Sequence, residues 1–467
     1  MAERRLLMSC RPGEVRGVLF EDDIPVEIRI EREDDPALIG GLFLARLLRA
    51  VPALPGAFVT LGGGIEAFLP GKGLPRDFLG TARTGAFVEG AAVLVQVVKE
   101  ARANKPAEVT ASPRLDGQFL VWTPAQPGLS LPKRLEAPSR QRLDALLRPL
   151  LVGGEGLALT DWREGLPDAL LVEDFERLRA RWATVLMQAK AATAPHRLDP
   201  VSDAFDRVQQ AFNRPGLSLD EIIIDEAAAF PRLKRHFGAK ASLESPDALR
   251  AYGLDEIIES ALEREVSLPG GGRLIIEATA AAILIDVDLG AGGGARSHSA
   301  TAILQTNIEA ARAVAIEIRR RNLAGMILID FITMGWSEHR REVEAALRSA
   351  LLADPLGPEL HGWTRLGLIE LTRRRSVPSL AERLLADVRP GKTARTLALE
   401  ALARLASERF APGSLCLAAH PRIIALFEGP LQPAFAEAVR RSGRRVACRA
   451  DETGGLVLID VVEGGLA

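Results

Sequence analysis

The stretch that most constrains the fold runs from Arg273 to Met334, where strand-like, loop-like and helix-like segments follow one another directly. RLIIEATAAAILIDVD (Arg273–Asp288) holds two apolar runs that fit consecutive strands, the second ending in an acid–X–acid pair, Asp286 and Asp288. A glycine-rich loop, GAGGGARS, follows from Gly290 to Ser297. TNIEAARAVAIEIRRRN then places Ile308, Ala311, Ala315 and Ile318 at helical spacing. Gly325 sits where a left-handed helix cap is expected, and MILIDFI makes a third buried strand with Asp330 near its end. Two strands able to neighbour each other thus each deliver an acid near their C-terminal tips, with a helix between.

That arrangement suits a hard divalent cation. Magnesium prefers oxygen ligands, needs only one or two protein carboxylates and fills its remaining positions with water and substrate phosphate. Held this way it can orient water for attack on a phosphodiester and offset charge developing in the transition state. Pattern alone leaves a second reading open, because strand-end aspartates also cap helices or accept hydrogen bonds from turns. The loop lacks the glycine order of a P-loop or dinucleotide fingerprint, so nucleotide hydrolysis is a poor reading.

Four segments, REVSLPGGGRLIIEAT, ILIDVDLG, QTNIEAARAVAIEIRRRNLAGMILIDFITM and TRLGLIELTRRRSVPSL, resemble in order and spacing the catalytic core of the ribonuclease E/G family of bacterial endoribonucleases. The resemblance implies a Mg2+ site (with Mn2+ as the alternative metal) held by Asp286 and Asp330. A family asparagine that completes the site falls on Asp288, and two further family acids fall on Ala280 and Thr333. An extra carboxylate at Asp288 either tightens the metal or repels the scissile phosphate. The expected catalytic and metal set is therefore Asp286, Asp330 and Asp288, the last in an altered role.

Composition sets the remaining limits. With 467 residues the chain is long enough for several domains, and a net charge of −2 advertises no global basic field, so any RNA surface must be local. Arginines cluster at Arg319–Arg321, Arg340–Arg341, Arg373–Arg375 and Arg440–Arg445. Each cluster taken singly reads as a solvated face, except that Arg373 and Arg375 lie inside the family match and are expected on the RNA backbone. Three widely spaced cysteines, the lack of a signal-peptide core and the lack of a membrane-length apolar run set the expectation of a cytoplasmic protein with no membrane contact.

The resemblance also implies a multidomain α/β fold. Residues 1–35 and 201–262 correspond to an RNase-H-like subdomain, with Glu31 and Glu33 as exposed strand-end charges and Asp225 as a helix N-cap. Residues 36–111 resemble an S1 domain, an oligonucleotide-binding (OB) barrel. Alternation alone places Phe58 and Phe68 in the barrel core; the family match makes them base-stacking positions, with Lys105 and, more weakly, Lys99 as cations for single-stranded RNA. Residues 112–200 correspond to a 5′-end sensor, whose phosphate-binding arginine–threonine pair falls on Thr160 and Asp161, so 5′-monophosphate sensing is expected to be weak or lost. Residues 263–383 match a DNase I-like catalytic subdomain, and 384–467 a small C-terminal α/β domain. The segment LAERLLADVRPGKTARTLALEAL has no Cys or His where relatives carry a zinc link. Zinc is not expected, and a homodimer, if formed, is not bridged by it. The functional expectation is a magnesium-dependent endoribonuclease cutting single-stranded RNA; the alternative is a catalytically impaired RNA-binding protein that keeps the fold.

Overall fold

The computed structural model describes residues 3–35, 38–50, 56–71, 88–101, 106–117, 119–132, 135–160, 166–199, 202–214, 217–279, 281–290, 299–375, 377–385, 392–407, 415–450 and 460–463. The chain forms two compact units: Met1–Asp35 with Asp203–Ala211 and Ser218–Ala467, and Pro36–Ser202 with Phe212–Leu217. In sequence the second is an insertion into the first.

The first unit opens with a meander, β1 (Arg4–Arg11), β2 (Glu14–Glu21) and β3 (Ile24–Arg32). The hairpin between β2 and β3 turns through Asp22 and Asp23 at φ 48° and 65°, the sign at both central residues that matches the twist of the strands. Polar positions of this sheet are covered and must pair internally. Glu14 accepts Nε–H bonds from Arg16 at 2.6 Å and Arg32 at 2.9 Å, all three side chains being buried. Glu31, expected as an exposed charge, is instead buried between Arg29 and Arg207.

The inserted unit begins with β4 (Leu42–Ala50), β5 (Gly56–Gly62), β6 (Ile65–Pro70), β7 (Ala92–Lys99) and β8 (Ala107–Thr110). They run in the order β4-β5-β6-β8-β7, and pairing of β7 with β4 closes the barrel. Positive φ at Gly62, Gly63 and Gly64 makes the tight β5–β6 turn that side-chain-bearing residues would strain. After it come β9 (Leu115–Asp116), β10 (Leu120–Thr123), β11 (Gly128–Ser130), α1 (Ala137–Leu147), β12 (Gly156–Leu159), α2 (Asp168–Ala191) and β13 (His196–Arg197). Helix α2 buries Phe175, Leu178 and Trp182. It starts at Asp168, which puts Asp174 in its second turn. Its buried carboxylate accepts the Phe119 and Leu120 amides at 2.8 and 3.1 Å.

Returning to the first unit, α3 (Ala204–Phe212), β14 (Glu221–Ile224), α4 (Phe230–Phe237), β15 (Ala241–Leu243), α5 (Pro246–Arg250) and α6 (Leu254–Ser260) complete the opening sheet in the order β15-β14-β1-β2-β3. Because β14 lies parallel to β1, Asp225 at its end meets the β1 backbone rather than a helix. It accepts the Ser9 hydroxyl at 2.8 Å and the Cys10 amide at 2.7 Å, while α4 starts after Ala229 with no side-chain cap.

The second sheet comprises β16 (Glu265–Ser267), β17 (Arg273–Ala278), β18 (Ile283–Asp288), β19 (Gly325–Asp330), β20 (Glu359–Trp363) and β21 (Ile369–Arg373), with α7 (Ala300–Arg320) between β18 and β19 and α8 (Ser337–Leu351) after β19. Its order is β16-β17-β18-β19-β21-β20, and β18–β19 is its parallel pair. Leu274, Ile276, Ile283, Ile285, Val287, Ile327, Ile329, Ile369 and Leu371 form one core with Ala311, Val314 and Ile318 of α7 and Val343 and Leu347 of α8. Burying each such aliphatic side chain contributes roughly 1.5–3 kcal/mol, which holds this face closed and leaves the alternate residues outward. Arg319 and Arg321 are not a solvated face: Arg319 pairs with Glu21 and Glu27, and Arg321 with Glu317, in buried surroundings.

The chain ends with α9 (Leu380–Leu384), α10 (Ala394–Ser407), β22 (Leu415–Ala419), α11 (Pro421–Glu428), α12 (Gln432–Ser442), β23 (Val446–Ala450) and β24 (Asp460–Glu463). PRIIALFEGPLQPAFAEAVRRS forms two helices, interrupted around Gly429 and Pro430, which lacks the amide a continuing helix needs. Among the described residues no helix is long and apolar enough to cross a membrane.

Candidate functional site

The outward face of the second sheet carries the chemistry. Strand alternation sends Ile283, Ile285 and Val287 into the core and Leu284, Asp286 and Asp288 outward. In β19 the same alternation exposes Met326 and Asp330. The parallel register pairs Asp286 directly with Asp330, so their Cα atoms lie about 4.8 Å apart, one interstrand spacing. Partial burial pushes the Asp286 carboxyl above its ordinary value, and the charges of Asp330 and Asp288 push in the same direction. Two oxygen donors whose mutual repulsion a cation would relieve are a fitting donor set for magnesium.

Asp288 behaves differently from the expected third ligand. Its Oδ2 accepts from both Nε and Nη2 of Arg273, at 3.0 and 2.8 Å, and its Oδ1 accepts the Gly290 amide at 3.3 Å. These bonds, the Arg273 one foremost, hold its carboxyl below the usual range. Among the described residues no three His, Cys, Asp or Glu side chains gather as a metal-binding group.

Sequence reading passed over the residue that fixes the end of β19. Asn307, fully buried in α7, donates from Nδ2 to the Ile332 carbonyl at 2.8 Å and accepts the Ile332 amide on Oδ1 at 3.1 Å. An amide interrupting an otherwise apolar helical stripe was the available signal. Arg273 was also missed. Its signal is the register of the β17–β18 hairpin, which sets it opposite Asp288.

Arg373 is corrected. It is 4% exposed and its guanidinium is spent on Asp354, the Asn322 side chain and the Leu323 carbonyl, so it has nothing to offer an RNA backbone. The strand alternation that exposes Thr372 turns Arg373 inward. Arg375 pairs with both Glu382 oxygens at 2.8 Å.

On the barrel a single cross-strand row runs Arg49–Phe58–Phe68–Glu108–Lys99, each neighbour pair being in register. Phe58 and Phe68 are only partly buried and stand outside the barrel core, correcting the reading from alternation alone. Their rings meet edge to face at 5.7 Å, and the Arg49 guanidinium lies 4.6 Å from the Phe58 ring centroid. Lys99 pairs with Glu108 at 2.8 Å. Lys105 lies outside the described residues, as do Asp161 and most of the glycine-rich loop. Thr160 donates its hydroxyl to the Phe119 carbonyl at 3.0 Å.

Two in-register carboxylates on the sheet and paired aromatic rings on the barrel are features of a candidate nucleic-acid-processing protein. The profile of the Ribonuclease E/G family matches residues 114–376. Ribonuclease G of Haemophilus influenzae is 33% identical over 82% of this chain and 82% of its own length, and Ribonuclease G of Escherichia coli K12 is 31% identical over 80% of each. Ribonuclease E of Haemophilus influenzae is 31% identical over 81% of this chain and 42% of its own length. The chain belongs to the ribonuclease E/G family.

Proposed function

We propose that the chain is a magnesium-dependent endoribonuclease that cuts single-stranded RNA in RNA processing or decay. The observation that carries this reading is the register of Asp286 with Asp330 on adjacent parallel strands, on the uncovered face of the sheet. Those two carboxylates would hold the metal, which when bound supplies Lewis-acid activation of water and phosphate. Phe58 and Phe68 would stack bases, with Arg49 and Lys99 meeting phosphate beside them. The names of the relatives support cleavage of RNA, and the strand orders of the opening sheet and barrel support the RNase-H-like and S1 assignments. Commitment of the Thr160 hydroxyl to the Phe119 carbonyl supports weakened 5′-monophosphate sensing, since that hydroxyl has no proton left for a phosphate.

The test is cleavage of a fluorescent single-stranded oligoribonucleotide with magnesium and with chelator, in the native chain and in Asp330→Asn and Asp286→Asn. Magnesium-dependent cutting lost in both variants is the expected result. Binding without cutting in the native chain would favour the RNA-binding alternative, and cutting indifferent to both substitutions would refute the site.

A further inference from the structure

The extra carboxylate at Asp288 does not stand alone, and its partner is specific. Arg273 begins the strand antiparallel to β18, in register with Asp288, and points to the same outward face. All three guanidinium nitrogens are engaged: Nε and Nη2 on Asp288 Oδ2, and Nη1 on Glu265 Oε2 at 3.0 Å. The remaining Asp288 oxygen faces the Gly290 amide, at a turn where Gly290 has φ 75° and a Cβ would lie 2.6 Å from the Gly271 carbonyl oxygen. Asp288 is therefore held at both oxygens, turned toward Arg273 and the loop start, two residues beyond Asp286.

We infer that Arg273 is a positioning residue that sets the charge of the metal centre: by neutralising Asp288 it lets Asp286 and Asp330 act as a two-carboxylate site beside a charge-compensated neighbour. The inference rests on the metal site proposed above. A bare Asp288 would attract the cation and repel the phosphate brought to it, so the arginine trades cation affinity for tolerance of an anionic substrate. Arg273 has the geometry for this because a guanidinium offers two donors to one carboxylate oxygen while a third nitrogen is anchored elsewhere. A plain sheet ion pair would stabilise the hairpin and leave the cation indifferent to which partner is removed.

The experiment uses the full chain and Mn2+ as the probe, with binding followed by calorimetry in the absence of RNA. Arg273→Met uncovers the Asp288 carboxylate and should tighten Mn2+ by about three- to tenfold, a range expected of one half-solvated charge near the site. Asp288→Asn removes one carboxylate and leaves Arg273 paired with Glu265, and should weaken Mn2+ by a similar factor. The double variant should return close to the native affinity. RNA cleavage at saturating magnesium should fall in Arg273→Met and recover in the double variant. Asp330→Asn is the control for the parent reading. If it leaves Mn2+ binding intact, the metal site is misplaced and this inference fails with it. If it abolishes binding while the two single variants shift the affinity in the same direction, or not at all, the metal site stands and the role of Arg273 alone is overturned.

Discussion

Replacing Arg373 by methionine separates a structural arginine from a substrate-binding one. Arg373 and Asp354 have 3% and 2% exposed side chains and share bonds of 2.6 and 3.3 Å. The other nitrogen reaches Asn322 at 2.7 Å and the Leu323 carbonyl at 2.9 Å, so the residue joins β21 to the turn after α7 and to the end of α8. Arg373→Met keeps most of the volume and leaves the Asp354 carboxylate buried without its counter-charge. Breaking a buried pair in this way costs about 3–5 kcal/mol, with no discount for solvent because neither partner is solvated. The local opening equilibrium of the sheet should rise by roughly two to four orders of magnitude, read as faster amide hydrogen exchange in peptides covering β19 and β21. Arg373→Met combined with Asp354→Leu should recover much of the protection, since no buried charge is left. Unchanged exchange together with weaker RNA binding in Arg373→Met would refute this reasoning and restore the arginine to an RNA contact.

Three further outcomes follow from the same geometry. Burial alone would raise the Glu14 carboxyl, but Arg16 and Arg32 outweigh it and hold it at about 2 against an ordinary 4.5; its folded value is depressed, so its contribution of about 3 kcal/mol is present above pH 4.5 and lost as pH falls through about 2. Glu14→Gln should flatten that part of the acid-unfolding profile and lower stability at neutral pH; an unaltered profile would count against the pairing. Phe58→Ala and Phe68→Ala should each weaken single-stranded RNA binding by about 1–3 kcal/mol, measured by fluorescence anisotropy, with little change in melting temperature because neither ring is in the barrel core. Asn307→Leu leaves the Ile332 amide and carbonyl without partners, at about 1–3 kcal/mol each, and should slow cleavage without weakening RNA binding.

Legibility followed the range of the interactions. The strand–loop–helix–strand order of 273–334 and the aspartates at the strand tips were readable, because each depends on residue periodicity within a few positions. Glu31, Arg319 and Arg373 were misread for one shared reason. A charge looks solvated until another segment covers it, and the covering segments come from Arg207, from Glu21 and Glu27 and from Asp354.

By itself, then, the sequence determined which strands end in acids and which positions carry aromatic rings, because those follow from local alternation. Only the tertiary structure decided which groups face those acids. Pairing β18 parallel to β19 sets Asp286 beside Asp330, and pairing β17 antiparallel to β18 sets Arg273 on Asp288. Register is a property of two strands at once, and a slip of one residue would turn every one of these side chains to the opposite face.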